Sequence, residues 1–287
     1  MVLGLAAAGA RPAAGCDRVR VPASVASADA DVIAVVVPTE VRGQLGEDRA
    51  VEVAVERVLK GRVGPGTAKT VRRSIDEICG AVQLEVGKRY LAFFRQRAAG
   101  LEWTSDGAAA HTPAAEQEVA ELAGRLPTWS PPRRGLAVIA VPEKLRIAAG
   151  EDLVVWMLYR NVSSKPVKIS YRDWPEKKAS RWTAEVRGPD GSPVRATPHP
   201  TLTRPAIVDY FPKHGQTWTL EIQPGETFPL AIDRLNTARP GWGYKERLGF
   251  RFYPMEAPGR YSVTLTGHKL GSEARPFEVE VTPPASR

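Results

Sequence analysis

Short apolar, β-branched runs, interspersed with glycine, proline and Asp-Gly turn signals, restrict this chain more than any other feature. The runs are too short and too often interrupted for a helical bundle, and they carry the signature of buried and half-buried strands. Asp31–Val41 reads DVIAVVVPTEV, a buried strand. Ala50–Leu59 reads AVEVAVERVL, where Val51, Val53, Val55 and Val58 mostly alternate with polar residues, and Lys60-Gly61 ends it. Thr70–Ile75, Arg89–Phe94 and Leu101–Thr104 follow as three more strands. Two segments differ. Pro22–Ala30 is rich in alanine and serine and reads as one short helix, and Pro113–Leu126 places Val119, Leu122 and Leu126 on one helical face. Five short strands with flanking helices predict a small closed barrel.

Pro127–Arg134, PTWSPPRR, is proline-rich and polar and reads as an extended, semi-rigid linker. Beyond it the pattern is all strand: Leu136–Val141, Leu153–Val162, Val167–Tyr171, Arg181–Val186, Thr217–Ile222, Thr227–Ile232, Ser262–Thr266 and Phe277–Val281. Turn signals at Gly188-Pro-Asp-Gly191 and Pro224-Gly225 separate them. Regular short strands of this kind predict a β-sandwich, with Trp156 of the Leu153–Val162 strand in its core. A length of 287 residues suits two domains. The expected division is a leader at 1–15, a barrel at 16–126, the linker at 127–134 and a sandwich at 135–287.

The formal net charge is +8, and it is unevenly placed. Residues 16–127 hold 15 Lys/Arg against 16 Asp/Glu, whereas residues 128–287 hold 24 against 16. The basic excess therefore belongs to the second half. Such an asymmetry speaks to partners and solubility rather than to fold. It suits an anionic glycan, an acidic protein or a phospholipid surface, and equally a well-solvated exterior. No stretch reaches the ~18 apolar residues that a membrane-spanning helix requires.

The N-terminal MVLGLAAAGA is apolar and rich in small residues, like the end of a secretory signal, although no basic start precedes it. Ala13-Ala14-Gly15-Cys16 resembles the box at which bacterial lipoproteins are cleaved and acylated on cysteine, with Ala13 where leucine is usual. Secretion and lipid attachment through Cys16 both stay open. The chain has two cysteines, Cys16 and Cys79. In an exported chain they suit one disulfide, worth roughly 4 kcal/mol through loop closure; two reduced, buried thiols are the alternative.

The order of motifs in the first half resembles the netrin-like domain shared with tissue inhibitors of metalloproteinases and their bacterial relatives. The carrying residues are Cys16, Ala30-Asp31-Val32, Val55 to Gly61, Cys79-Gly80, Gly87 to Leu91 and Trp103 to Ser105. The resemblance covers about 110 residues and implies a five-stranded OB-type barrel with terminal helices. It also implies that Cys16 pairs with Cys79. A second bridge common in that family has lost both ends, with Arg18 at one and Asp106 or Gly107 near the other, which suggests an Arg18–Asp106 ion pair in its place. In the inhibitors, the free amine and carbonyl of the N-terminal cysteine chelate the protease zinc. Cys16 could do so only as an unmodified mature N-terminus.

The second half resembles bacterial immunoglobulin-like domains through Gly150-Glu151, Asn161, Gly188-Pro-Asp-Gly191, Pro224-Gly225-Glu226 and Pro258-Gly259-Arg260-Tyr261. The last reads as a tyrosine-corner-like closing strand. The fold class expected is thus all-β with short helices in the first domain: a five-stranded OB-type barrel plus an immunoglobulin-like β-sandwich.

One patch has a binding composition. Arg172, Trp174, Lys177, Lys178, Arg181 and Trp182 interleave cations and aromatic rings, which suits stacking on a sugar beside an anion. A solvated loop has the same composition. No helix for a DNA groove and no RNA-binding signature accompanies it, so no nucleic acid is expected. His111, His199, His214 and His268 form no ligand-spaced pair, and neither a nucleophile elbow nor a phosphate-binding loop occurs. No metal, cofactor or catalytic residue is expected. Asn161-Val162-Ser163 matches a glycosylation acceptor. The function expected is an exported, non-enzymatic binding protein of the cell envelope or extracellular space, with a protein or an anionic glycan as partner. The alternatives are protease inhibition through the Cys16 edge and polyanion binding by the basic sandwich. The oligomeric state is open.

Overall fold

The computed structural model describes residues 22–43, 48–64, 66–72, 82–98, 100–172, 182–198, 217–236, 251–267 and 272–284. Its first lobe runs α1 (Ala23–Asp29), β1 (Val32–Arg42), β2 (Arg49–Lys60), β3 (Gly66–Arg72), β4 (Tyr90–Arg97), β5 (Gly100–Ala110) and α2 (Pro113–Arg125). The strands close in the order β1-β2-β3-β5-β4, with β4 returning to β1. Only β3 and β5 run parallel, through Thr70 opposite Leu101 and Val71 opposite Glu102. This is the five-stranded closed barrel that the sequence predicts, of OB type. The third strand sits earlier than expected, at Gly66–Arg72, because its register is set by pairing with Arg49–Val55 of β2. The fifth is longer, because β4 pairs with it along Gly100–Ala110, with an irregularity at Ala92/Phe94 that takes up the mismatch.

The barrel is filled by side chains. Val32, Ala34, Val36, Val51, Val53, Tyr90, Ala92, Phe94, Leu101 and Trp103 form its core. Phe94 and Trp103 meet edge to face with ring centroids 4.7 Å apart. The indole N–H of Trp103 donates to Thr70 Oγ1, which donates in turn to the Val51 carbonyl, so the one polar atom of the ring is satisfied indoors. The opposite faces of β1 and β4 carry Ile33, Val35, Leu91 and Phe93, which pack under Ala26 and Ala30 beside α1 and under Val119 of α2. Burial on both faces is why β1 reads as a continuous apolar run rather than an alternation. Thr112 caps α2 by accepting from Ala115 N, with Pro113 in the first turn, a position where its missing N–H costs nothing.

The second lobe comprises β6 (Leu136–Pro142), β7 (Arg146–Ala148), β8 (Val154–Asn161), β9 (Val167–Arg172), β10 (Trp182–Arg187), β11 (Thr197–Pro198), β12 (Thr217–Ile222), β13 (Thr227–Arg234), β14 (Arg251–Phe252), β15 (Gly259–Gly267), β16 (Ser272–Glu273) and β17 (Phe277–Thr282). One sheet is β13-β8-β6; the other is β10-β15-β17-β7, with β16 on β15. Between them lie Val138, Ala140, Val155, Met157 and Tyr159 from the first, and Val186, Val263, Leu265, Phe277 and Val279 from the second. Two sheets facing across a shared apolar core make a β-sandwich. The Gly188–Ser192 turn closes as the sequence suggests, with Gly188 N donating to Ser192 O and Ser192 N to the Asp190 carboxylate. The Tyr261 hydroxyl donates to the Ala257 carbonyl four residues upstream, the bond of a tyrosine corner.

Trp156 is not in the sandwich core. Along β8, Val155, Met157 and Tyr159 face inward, so Trp156 and Leu158 point the other way. They join Ile139 and Val141 of β6 in a cluster completed by Val25 and Ala28 of α1. The run 127–134 also lies on the molecule. Ser130 N donates to Val138 O, Val138 N returns a bond to Ser130 Oγ, and Trp129 packs on the same cluster.

Candidate functional site

The densest group of charges among the described residues lies where the lobes meet, at the C-terminal end of α1. Asp29 is the last residue of that helix and Asp31 leads into β1. Arg95 and Arg97 come from the end of β4, Lys60 from the end of β2, and Arg160 from β8 of the second lobe. Arg95 and Arg160 directly follow buried apolar runs, so two of the strands that fill the cores deliver their terminal charges to one place.

Arg160 uses its whole guanidinium. Nη1 donates to Asp31 Oδ1 at 2.7 Å, Nη2 to the Asp29 carbonyl, and Nε to Thr227 Oγ1 at 3.2 Å. The Trp129 ring lies against it, 4.4 Å from centroid to guanidinium carbon, a cation–π contact supplied by the 127–134 run. Arg95 donates to Asp29 Oδ2 at 2.6 Å, and Gln96 N to Asp31 Oδ2 at 3.0 Å. Arg97 pairs with Glu102 at 2.9 Å and donates to the Gly225 carbonyl at 2.8 Å. Gly225 sits at φ +71°, which favours glycine, and a Cβ there would push the Arg97 guanidinium off its carbonyl.

Lys60 donates to the carbonyls of Ser27 and Ala30, two acceptors left over at the end of α1. Burial pushes its amine down to about 8, and nearby Arg160 adds to that, while Asp31 and Asp29 partly oppose it. Gly61 follows at φ +76°, and a Cβ there would meet the Asp31 carbonyl at 2.3 Å. The Lys60-Gly61 pair singled out in the sequence thus has two physical jobs: one residue ties down α1 and the next lets the backbone pass. Asp29 is held below the ordinary carboxylate range: burial alone would raise it, but Arg95, Thr227 and Arg160 together outweigh that.

A cleft of about 210 Å³ opens beside this network, lined by Asp31, Arg95, Gln96, Arg97, Arg160, Val162, Ser163 and Gly225 among others. Its one lining carboxylate, Asp31, is tied to Arg160 and to Gln96 N, which suits clamping rather than proton transfer. A second cleft, of about 360 Å³, lies among Glu143, Lys144, Gly150, Glu151 and Asp152, where Lys144 and Glu151 pair at 2.5 Å. Among the described residues, no three of His, Cys, Asp and Glu are grouped to hold a metal.

Of the residues singled out from sequence, Asp31 and Lys60 belong to this network. Cys16, Cys79, Arg18, Trp174, Lys177, Lys178 and Arg181 lie outside the described residues, as do His199, His214 and His268. Arg172 ends β9 and Trp182 begins β10. His111 instead secures α2, its Nε2 2.7 Å from Glu116, which also pairs with Arg57 at 2.7 Å. Asn161 is fully buried: its Nδ2 donates to the carbonyls of Lys165 and Ile222, and its Oδ1 accepts from Ser163 N and Oγ. That amide is structural, not a sugar acceptor. Asp29, Arg95 and Arg160 were missed by motif reading because they belong to no motif. The available signal was a charge set directly at the end of a buried strand, as in LVVWMLYR and YLAFFR.

No known family matches the chain, and no curated protein does. Among solved structures, a mutant beta-glucosidase from Listeria innocua in complex with laminaribiose is similar over 53% of this chain and 16% of its own, with 14% identity and a TM-score of 0.27. The same enzyme in complex with isofagomine gives 51%, 16%, 14% and 0.26. The CARDB domain of a Pyrococcus furiosus protein in complex with di-metal ions is similar over 52% of this chain and 93% of its own, with 12% identity and a TM-score of 0.23. The chain thus spans about a sixth of the beta-glucosidase, and likeness at these scores assigns no family.

Proposed function

We propose that this chain is an exported, non-enzymatic binding protein of the cell envelope or extracellular space, with a netrin-like barrel and an immunoglobulin-like sandwich. The observation that carries this reading is the use made of the Lys60-Gly61 motif. In a closed barrel of order β1-β2-β3-β5-β4, Lys60 secures the N-terminal helix and Gly61 clears the turn into β1. A motif picked out by its resemblance to netrin-like domains therefore has a structural reason in this barrel. That supports the family resemblance, and with it a role in recognition rather than turnover.

The partner class favoured is an anionic glycan or an acidic protein surface. Arg172 stands opposite Thr217 at one end of the β9–β12 pair. The segment 173–181 leaves from Arg172 and the segment ending at 216 arrives at Thr217, and both segments carry a net positive charge. The chain therefore enters and leaves two modestly basic segments at the same end of the β9–β12 pair. The test is retention of the intact chain on heparin as a function of salt, beside a variant with Arg172, Lys177, Lys178 and Arg181 all changed to Gln. Retention that needs markedly less salt for elution in the variant supports the reading; equal retention, or none in either protein, removes it. Inhibition of a zinc protease that disappears when one residue is added before Cys16 would favour the inhibitor reading instead.

A further inference from the structure

We propose that α1 is a latch shared by the two lobes, closed by Arg160 and Trp129, which holds the lobes in one orientation and keeps an apolar sheet face covered. The proposal stands independently of the binding role. At seven residues α1 is too short to persist alone, so its stability must come from packing. That packing comes from both lobes. Ala26 and Ala30 meet Ile33, Val35, Leu91 and Phe93 of the barrel. Val25 and Ala28 meet Ile139, Val141, Trp156 and Leu158 of the second lobe. All six residues from Ser24 to Asp29 are buried, and alanine and serine let both surfaces come close. Neither lobe alone encloses the helix.

Both ends are pinned across the junction. Ser24 Oγ donates to the Glu143 carbonyl at 3.1 Å, a contact between the first turn of α1 and the loop after β6. At the other end three cations from three strands, Lys60, Arg95 and Arg160, meet the terminal carbonyls and the Asp29 and Asp31 carboxylates. Cations at a helix C-terminus oppose its negative dipole end, so their convergence stabilises the docked helix in particular. Arg160 alone brings this charge from the second lobe, and Trp129 covers it. Opening the latch would expose Ile139, Val141, Trp156 and Leu158 together on the outer face of β6 and β8, a contiguous apolar patch of the kind that promotes association.

Hydrogen exchange of the intact chain, read by mass spectrometry, tests this through peptides covering α1, β1, β8 and β17. In the wild type the α1 amides should exchange as slowly as those of β1 and β8. Arg160→Gln should speed α1 by on the order of a hundred-fold, the scale of removing one partner from a buried ion pair, while β17 keeps its protection. Trp129→Ala should speed α1 by about ten-fold, the scale of losing one buried cation–π contact with its packing. Fast α1 exchange in the wild type, or α1 exchange unchanged in both variants, overturns the latch. Should Arg160→Gln unfold the whole chain, Trp129→Ala decides: faster α1 with unchanged β17 supports the latch, and unchanged α1 overturns it.

Discussion

Arg160 of β8 and Asp31, the residue that enters β1, meet at 2.7 Å across the junction although 129 residues separate them. The pair is not isolated. Asp31 also accepts from Gln96 N, and Arg160 also holds the Asp29 carbonyl. A carboxylate fixed from two sides defines an orientation as well as an attraction. The apolar cluster beside it, in which Val25 and Ala28 face Trp156 and Leu158, supplies the burial that a charge pair alone does not.

Asp29 ties the junction to pH. Its folded pKa lies below its unfolded one, so its contribution is complete above about pH 4 and is lost as pH falls through the folded value. Urea midpoints between pH 2 and 7 should therefore fall steeply in acid for the wild type. Asp29→Asn should be less stable at pH 7 by about 3 kcal/mol, the scale of breaking a buried ion pair, and should lose less on acidification. Parallel curves for the two proteins would show that Asp29 is not the group responsible.

Lys60 gives a pH dependence of the same direction at the alkaline end, but there it is the neutral form that the fold favours. Burial lowers its amine to about 8, below its unfolded value, so the unfolded chain holds more protons between roughly pH 8 and 10.5. Within that window stability should rise with pH, by on the order of 3 kcal/mol for this group taken alone. Other lysines and tyrosines titrate nearby, so the observable is the difference between wild type and Lys60→Met in urea midpoint from pH 7 to 10.5. A difference that stays constant with pH would contradict the burial of a charged amine at this site.

The barrel was legible in advance because its residues obey local rules. DVIAVVV marks β1, alternating valines mark β2, and the spacing of Val119, Leu122 and Leu126 marks α2. The junction was not legible, because its partners lie far apart in sequence and no spacing rule connects Asp29 with Arg160. Trp156 shows the same limit. LVVWMLY is apolar at every position, so periodicity cannot say which face of the strand a residue takes. The run is continuous because β8 is buried on both sides, one against its own sandwich and the other against α1.

Gly61 and Gly64 make a matched pair for testing the turn after β2. Alanine at Gly61 would need a φ of +76° and would place its Cβ 2.3 Å from the Asp31 carbonyl, while Gly64 has open space around it. Gly61→Ala should cost at least about 2 kcal/mol, and Gly64→Ala should fall within about 0.5 kcal/mol of the wild type. Thermal unfolding of both variants measures it. Equal costs would mean that the approach of Gly61 to Asp31 is not as close as described.

Asn161 predicts two outcomes from one geometry. Its amide is fully committed to the Lys165 and Ile222 carbonyls, so the folded chain made in a glycosylating host should carry no sugar at Asn161, which intact mass reveals. Asn161→Ala removes the donor and leaves those acceptors and the Ser163 amide without it, at a cost of about 2–3 kcal/mol. A glycosylated, fully folded product would refute the burial of this side chain.

Trp156 separates packing from polarity. Its ring fills the cluster under α1, but its indole N–H is buried without a hydrogen-bond partner among the described residues. An unmet donor of that kind costs about 1–3 kcal/mol. Trp156→Phe removes the donor and keeps most of the apolar ring, so the two effects should nearly cancel and leave stability within about 1 kcal/mol of the wild type. Trp156→Ala keeps neither and opens a cavity beside Val25 and Ala28, at about 3–5 kcal/mol. Denaturant midpoints of the two variants give the comparison. If Phe costs as much as Ala, the indole N–H has a partner, and the junction is held by a polar bond there rather than by packing alone.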